Sequence, residues 1–454
     1  MAPLERKNID DLTEGELAIY EHAIGKLMDD PNPQTNYQHH ADFHNVFGSN
    51  PPRGCEHRND LFFPWHRYHL LNFERALQLS DPDHPTLSTK NVTIPYWNWT
   101  TSPRTGARYP AAFENVASRL FDGERNSDPS GPTFSTDYMT GIVRNNLNWN
   151  VFAGGPKDVN EFYGAFESPS HNTMHGEFIG GLMANPGSAA EDPIYWSFHC
   201  FIDRLWERWD RVHGSQPTCL DCVLRAFPTA PHAGDVSRTE NPIDLGGGIS
   251  TLGYFYTFQP DEVEPAPRPD SANTDVLFHA MIAAPAVDHE TLYVLRPTGR
   301  GLTFEVPRLE DIPRRAVLWL VHLTPPNRSY RLPVFLHPAH VPYTDDAGFV
   351  EAYHIGDFNF WQAHHLVPGQ TSGALLGATV AFRNIAGDGS PHVLTLVPQP
   401  LPPVALGGHH ADHGGHDHGN GDSDEGLRFQ AVALQVNGNG IPDIHLGGVP
   451  NDGR

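Results

Sequence analysis

Apolar positions recur at helical spacing in the first half of the chain and at strand spacing only in the second. Thr13 and Glu16 form a capping box, and Leu17, Tyr20, Ile24 and Leu27 follow three and four apart. Pro31 and Pro33 end that helix. A second helix is predicted from about Pro64, with His66, Leu70, Phe73 and Leu77 on one face. A third starts near Ser170. A fourth runs from Pro193 to about His213 and gathers His199, Ile202, Asp203, Trp206 and Trp209 on one side. The stretch from Trp99 to about Pro156 is rich in Gly, Pro and Ser and reads as loop.

After Tyr254 the pattern changes. Gln259 to Asp275 is rich in Pro and acid without periodicity, the signature of a linker. Short runs of β-formers follow at Thr291–Arg296, Leu302–Val306, Val317–Leu323, Leu332–Leu336, Thr379–Arg383, His392–Val397 and Leu427–Val436. The segment 407–426 is a low-complexity His/Gly/Asp tract, expected to be a disordered loop before the last strand. The expected architecture is a mainly α domain over 1–258, a four-helix bundle with long loops. A Pro-rich linker over 259–275 then leads to an all-β sandwich over 276–454.

Composition narrows the function. The 454 residues carry 54 acidic against 30 basic side chains, a net charge of −24. That sign disfavours binding to nucleic acid or an anionic membrane. No run of about 18 apolar residues is present to span a bilayer. The N-terminal residues lack a signal-peptide core, so the chain as written is cytoplasmic or a processed secreted form. Four cysteines are too few for a disulfide scaffold, and Cys219 and Cys222 are either a local disulfide or two idle thiols.

The 28 histidines need a different explanation. Six of them fall in two groups of three within the helical part: His44, His57 and His66, then His171, His175 and His199. His171 and His175 stand one helical turn apart, and His66 and His199 lie on core-facing stripes. Buried imidazoles need hydrogen-bond partners or a metal. Two sets of three neutral imidazoles without bridging carboxylates favour copper over iron, and three ligands per ion leave room for a small molecule.

The run LFFPWHRYHLLNFERAL (Leu61–Leu77), the nine-residue step from His57 to His66, and HNTMH followed by DPIYWSFHCFIDRLWERW (Asp192–Trp209) together resemble the type-3 copper family. That family comprises the tyrosinases, catechol oxidases (polyphenol oxidases) and hemocyanins, and the likeness covers roughly residues 10–215. It implies two copper ions, copper A on His44, His57 and His66 and copper B on His171, His175 and His199. It also implies a thioether between Cys55 and His57. Asp203, four residues after His199, suits a carboxylate that orients a ligand imidazole, or else a salt bridge to Arg67 or Arg204. His39, His40 and His69 are nearby decoys. The latent members of the family further imply that the C-terminal domain shields the coppers, with Phe358, Phe360 or Trp361 as the plug.

By the same resemblance the chain is an oxidase that uses O2 on small phenols, turning o-diphenols into o-quinones. Glu167 matches a position that holds a water near the centre and Asn172 one that orients it, so monophenol hydroxylation is expected too. The alternatives are a catechol or o-aminophenol oxidase without hydroxylase activity and a hemocyanin-like oxygen carrier. The His-rich tract is expected to be a solvated spacer, the alternative being weak copper(II) binding that helps to load the site.

Overall fold

A computed structural model describes residues 2–44, 55–101, 109–126, 134–145, 149–157, 161–214, 252–263, 291–298, 302–309, 313, 316–323, 330–360, 372–386, 389–400, 429 and 431–436. Helix α1 (Glu14–Met28) starts at the capping box: the Glu16 amide donates to Thr13 Oγ1 (3.2 Å) and the Thr13 amide to Glu16 Oε2 (2.9 Å). A short helix α2 (Tyr37–Asp42) leads to His44. Helix α3 (Phe62–Ser80) begins two residues before the expected Pro64 and buries nearly its whole N-terminal half. The third helical stretch starts at Glu167 rather than Ser170 and runs to Ile179 with the wide turns of a π-helix, a form frequent at functional sites. Helix α4 (Ile194–His213) follows, and α3 packs against both α1 and α4.

The ends of this helical half are tied together. Strand β1 (Leu4–Glu5) pairs in parallel with a strand near residue 254. The buried Arg6 donates to Glu74 of α3 (2.8 Å) and Asp203 of α4 (3.1 Å), with its guanidinium 3.6 Å over the Tyr254 ring. The beginning of the expected linker is ordered. Pro260–Glu262 form one turn, and Arg204 grips the Glu262 carboxylate through both Nη atoms (2.9 Å each).

The remaining strands are β2 (Phe162–Tyr163), β3 (Tyr254–Phe255), β4 (Thr291–Val294), β5 (Arg296–Pro297), β6 (Thr303–Glu305), β7 (Ala316–Leu323), β8 (Tyr330–Pro338), β9 (His354–Phe360), β10 (Ser372–Gly377), β11 (His392–Leu396), β12 (Gln399–Pro400) and β13 (Ala431–Val436). One sheet has the order β2-β10-β7-β13-β4. The other runs β12-β8-β11-β6-β5, with β9 also on β8. Leu318, Leu376 and Leu434 of the first sheet share a core with Val334, Phe358 and Leu394 of the second. The run Thr379–Arg383, expected as a strand, is instead the helix Thr379–Ile385. Phe382 is fully buried there and Ile385, three residues on, packs on the same core, a spacing no strand could use.

The two halves interlock. Strand β2 comes from the helical half yet joins the first sheet beside β10, parallel to it. Val151, Phe162 and Ala165 pack on Val317, Trp319, Leu375, Ala431 and Ala433 from the outer face of that sheet. Across the same junction Arg331 of β8 reaches Glu177 (3.4 Å), while Asp357 of the neighbouring β9 holds the same guanidinium (3.2 Å). Strand β9 packs directly on the Glu167–His171 turn.

Candidate dicopper site

The six histidines come from five pieces of chain: the residue pair after α2, the irregular segment before α3, α3 itself, the 167–179 helix and α4. In each triad the ligand atoms lie within 4.8 Å of one another, one set being His44, His57 and His66 and the other His171, His175 and His199. His66 and His199 stack at 4.4 Å where α3 meets α4, and His57 lies 5.4 Å from His171. The two triads thus abut in the interior of the helical half. All but His57 are buried.

Burial makes these rings neutral. Desolvation drives His44 down to about 4 and holds the other five well below their ordinary range, and neighbouring imidazoles push His57, His66, His171, His175 and His199 the same way. A neutral imidazole is the metal-binding form. Which nitrogen faces inward is set by acceptors behind the rings. Nδ1 of His44 donates to Pro186 O (2.7 Å), that of His66 to Phe62 O (2.7 Å) and that of His175 to Met183 O (2.9 Å). Nδ1 of His57 donates to Glu167 Oε1 (2.9 Å) and Nδ1 of His171 to Asn172 Oδ1 (2.9 Å). Carbonyl oxygens can only accept, so their imidazoles carry the proton on Nδ1 and a lone pair on Nε2.

Those lone pairs converge. His44 Nε2 lies 3.4 Å from His66 Nε2, and His175 Nε2 lies 3.2 Å from His199 Nε2. Where both partners of such a pair hold their proton on Nδ1, as His44 and His66 do, no hydrogen bond can join the facing nitrogens. A cation between them turns the repulsion into ligation. The donors are all imidazole nitrogens, a set suited to copper, and they fit a dicopper centre.

Glu167 and Asn172, expected to share a water, each have an oxygen bound to the Nδ1 of a triad histidine, one in each triad. The Arg58 amide also donates to both Glu167 oxygens (3.1 and 2.9 Å), from a residue with a left-handed φ of +62°. Burial pushes the Glu167 carboxyl up to about 8, against the pull of Arg58. Asp203, in contrast, touches no imidazole. It binds Arg67, Arg6, Tyr254 (2.7 Å) and Tyr256 (2.7 Å), because its Cβ vector faces the buried arginines of the chain-end tie. The salt bridge to Arg67 is its role, while Arg204 pairs with Glu262.

Cys55 is buried with a free thiol. The decoy His69 is held on both nitrogens, by His40 O (2.8 Å) and Tyr195 OH (3.1 Å), and belongs to neither triad. Phe358 is in the core between the sheets, while Trp361 and the side chain of Phe360 lie outside the described residues. So do Cys219, Cys222 and the 407–426 tract. The acceptors Phe62 O, Met183 O and Pro186 O escape a reading of side chains altogether, since every residue has a carbonyl.

Residues 34–134 and 103–212 match the family model described as the common central domain of tyrosinase. A tyrosinase of Streptomyces lincolnensis is 30% identical over 240 residues, covering 45% of this chain and 81% of that protein. A tyrosinase of Streptomyces antibioticus is 30% identical over 193 residues, covering 36% of this chain and 66% of that one. The structure of latent aurone synthase (polyphenol oxidase) from natural source superposes with a TM-score of 0.59 at 18% identity, covering 96% of this chain and 89% of the other. A functional unit from octopus hemocyanin gives 0.55 at 16%, covering 95% and 99%. At these identities the two solved structures share the fold with this chain.

Proposed function

Since this chain belongs to the type-3 copper family of tyrosinases and polyphenol oxidases, we propose that it is an oxidase of small phenols. His44, His57 and His66 would hold one copper and His171, His175 and His199 the other. The observation that carries this reading is the pair of inward Nε2 contacts at 3.4 and 3.2 Å between buried rings. When bound, the two copper ions supply O2 binding and electron transfer. In the net reaction two o-diphenols give two o-quinones, and O2 takes their four electrons and four protons to become two waters.

The chain's own residues orient and move protons. The Nδ1 acceptors fix all the rings they touch in the ligating tautomer. Glu167 is buried and sits behind His57, so as a carboxylate it can receive a proton from an incoming phenol through a water. A monophenol, with a pKa near ~10, needs such an acceptor before it can bind as phenolate. Asn172 supports hydroxylation by holding His171 through Oδ1 (2.9 Å) beside the same centre. A Cys55–His57 thioether would fix the His57 ring; intact mass would be lower by two hydrogen atoms.

The packing of β9 on the Glu167–His171 turn supports a shielding role for the C-terminal half. The rival reading is an oxygen carrier, favoured only by the depth of the triads. Asn172→Gly and Asn172→Asp, compared at equal copper loading on a monophenol and its o-diphenol, test the hydroxylase assignment. It predicts that Gly abolishes monophenol turnover, keeps diphenol turnover, and that Asp restores part of the loss. Equal losses on both substrates would remove the hydroxylase part and leave a catechol oxidase.

A further inference from the structure

Two of the ring acceptors belong to one short segment. Met183 O receives the proton of His175 (2.9 Å) and Pro186 O that of His44 (2.7 Å). The first histidine is in one triad and the second in the other. A few residues of backbone therefore set ring orientation on both sides of the centre.

The segment is internally bonded. Gly181–Ala184 form a single tight turn, the Asn185 amide donates to Leu182 O (3.2 Å) and Ser188 Oγ to the same oxygen (3.0 Å). The Ser188 amide donates to Asn185 O (3.1 Å) and the Gly187 amide to Asn185 Oδ1 (2.9 Å). Such a turn moves as a unit.

Its entrance is set by Gly180 and Gly181, with φ of +66° and +53°. The Gly180 amide closes the preceding helix on His175 O (3.1 Å). A Cβ on Gly181 would lie 2.6 Å from Glu124 O and 2.8 Å from its carbonyl carbon, backbone atoms that cannot rotate away. That stretch is itself pinned. The Asn126 amide donates to Ile179 O (2.7 Å), and Arg125 binds Asp192 (2.9 Å), Phe113 O (2.8 Å) and Leu120 O (2.7 Å). A side chain at 181 must therefore push the segment, not its neighbour.

We propose that residues 180–186 form a strap that positions His44 and His175 together, and that Gly181 is a positioning residue for both copper ions at once. The inference rests on the dicopper reading above. It implies that the two ions are lost together when the strap shifts, although the nearest ligand to Gly181 in sequence serves only one of them.

The test uses the full chain loaded with copper, measuring release to a copper(I) chelator under reducing conditions and the Tm with and without copper. The wild type should hold two ions and release them slowly. Gly181→Ala should release both at least about tenfold faster, the size of effect typical of groups that orient metal ligands. The rise in Tm on loading should shrink as well, a change that mere destabilisation of the fold would not produce. Gly180→Ala, whose Cβ meets nothing closer than Asn126 Cβ at 3.4 Å but whose φ of +66° and ψ of −154° strain any side chain, should act in the same direction. Gly123→Ala, with only the Phe121 ring at 3.5 Å, should match wild type. Fast loss of only half the copper, or release from Gly181→Ala at the wild-type rate, would overturn the strap. If Gly181→Ala does not fold, Gly180→Ala decides by the same two outcomes. A wild type that binds no copper would overturn the dicopper reading, and the strap with it.

Discussion

A neutral imidazole has two tautomers, and only an acceptor behind the ring makes one of them dependable. The residue type that binds metal is plain in the sequence; the atom that selects its tautomer is not. Glu167 is the one such acceptor that can take up a proton. Glu167→Gln keeps an oxygen for His57 Nδ1 but cannot take a proton. It should retain copper while losing monophenol turnover by about 10²-fold or more. Glu167→Ala should lower copper A affinity about 10–100-fold. Copper content alongside turnover separates the two. Asp203 acts differently, as the buried counter-ion of the chain-end tie. Burial alone would raise its carboxyl, but Arg67, Arg6 and the Tyr256 hydroxyl hold it below the usual range. Its folded pKa thus lies below the unfolded value of about 3.9, so it stabilises above that pH and the contribution fades as pH falls through the folded value. Asp203→Asn should cost about 3–5 kcal/mol at neutral pH, since it strands buried arginines. Urea midpoints at pH 7 and pH 3 check this: the gap from wild type should narrow in acid.

At the scale of elements, legibility followed local pattern. The α1 capping box and the Pro193 start of α4 were readable because caps act within a few residues. Strands β7, β8, β11 and β13 fell within one to three residues of their β-rich runs at most ends. The misses have a shared cause. Phe162 and Tyr163 pair because β10 lies beside them, a contact with a strand more than two hundred residues away. Gly356, with φ of +144° on β9, and Gly373 and Gly377 on β10 dilute any strand signal there. The helix Thr379–Ile385 holds a Thr and a Val that read as strand until Phe382 and Ile385 find the core. Trp319 is the element-level keystone of the junction, edge-on to Phe162 at 5.2 Å with its indole N–H on Gln435 Oε1 (3.0 Å). Trp319→Ala should lower the stability of the sheet-forming half by about 3–5 kcal/mol, read from denaturant unfolding followed separately in the two halves.

At the scale of the molecule, the helical half holds the histidines, and strand β9 packs on the Glu167–His171 turn beside them. Because β2 is a strand of the first sheet and Val151, Phe162 and Ala165 are buried against it, the halves are not beads on a linker. Cutting the chain between residues 264 and 290 should therefore leave two fragments that co-elute on size exclusion, with activity on large phenols unchanged. Removal of everything after about 260 should expose that apolar patch, so the fragment should be more active per copper and prone to aggregate. Fragments that separate on cutting alone would contradict this picture of the junction. The central claim is that two imidazole triads hold copper for the oxidation of phenols. It is tested most directly by oxygen uptake on adding catechol to full-length protein of counted copper content. The account predicts two coppers per chain and sustained uptake, one O2 for every two quinones, abolished in His66→Ala and His199→Ala. Two coppers with reversible oxygen binding and no catechol turnover would contradict it and leave a carrier.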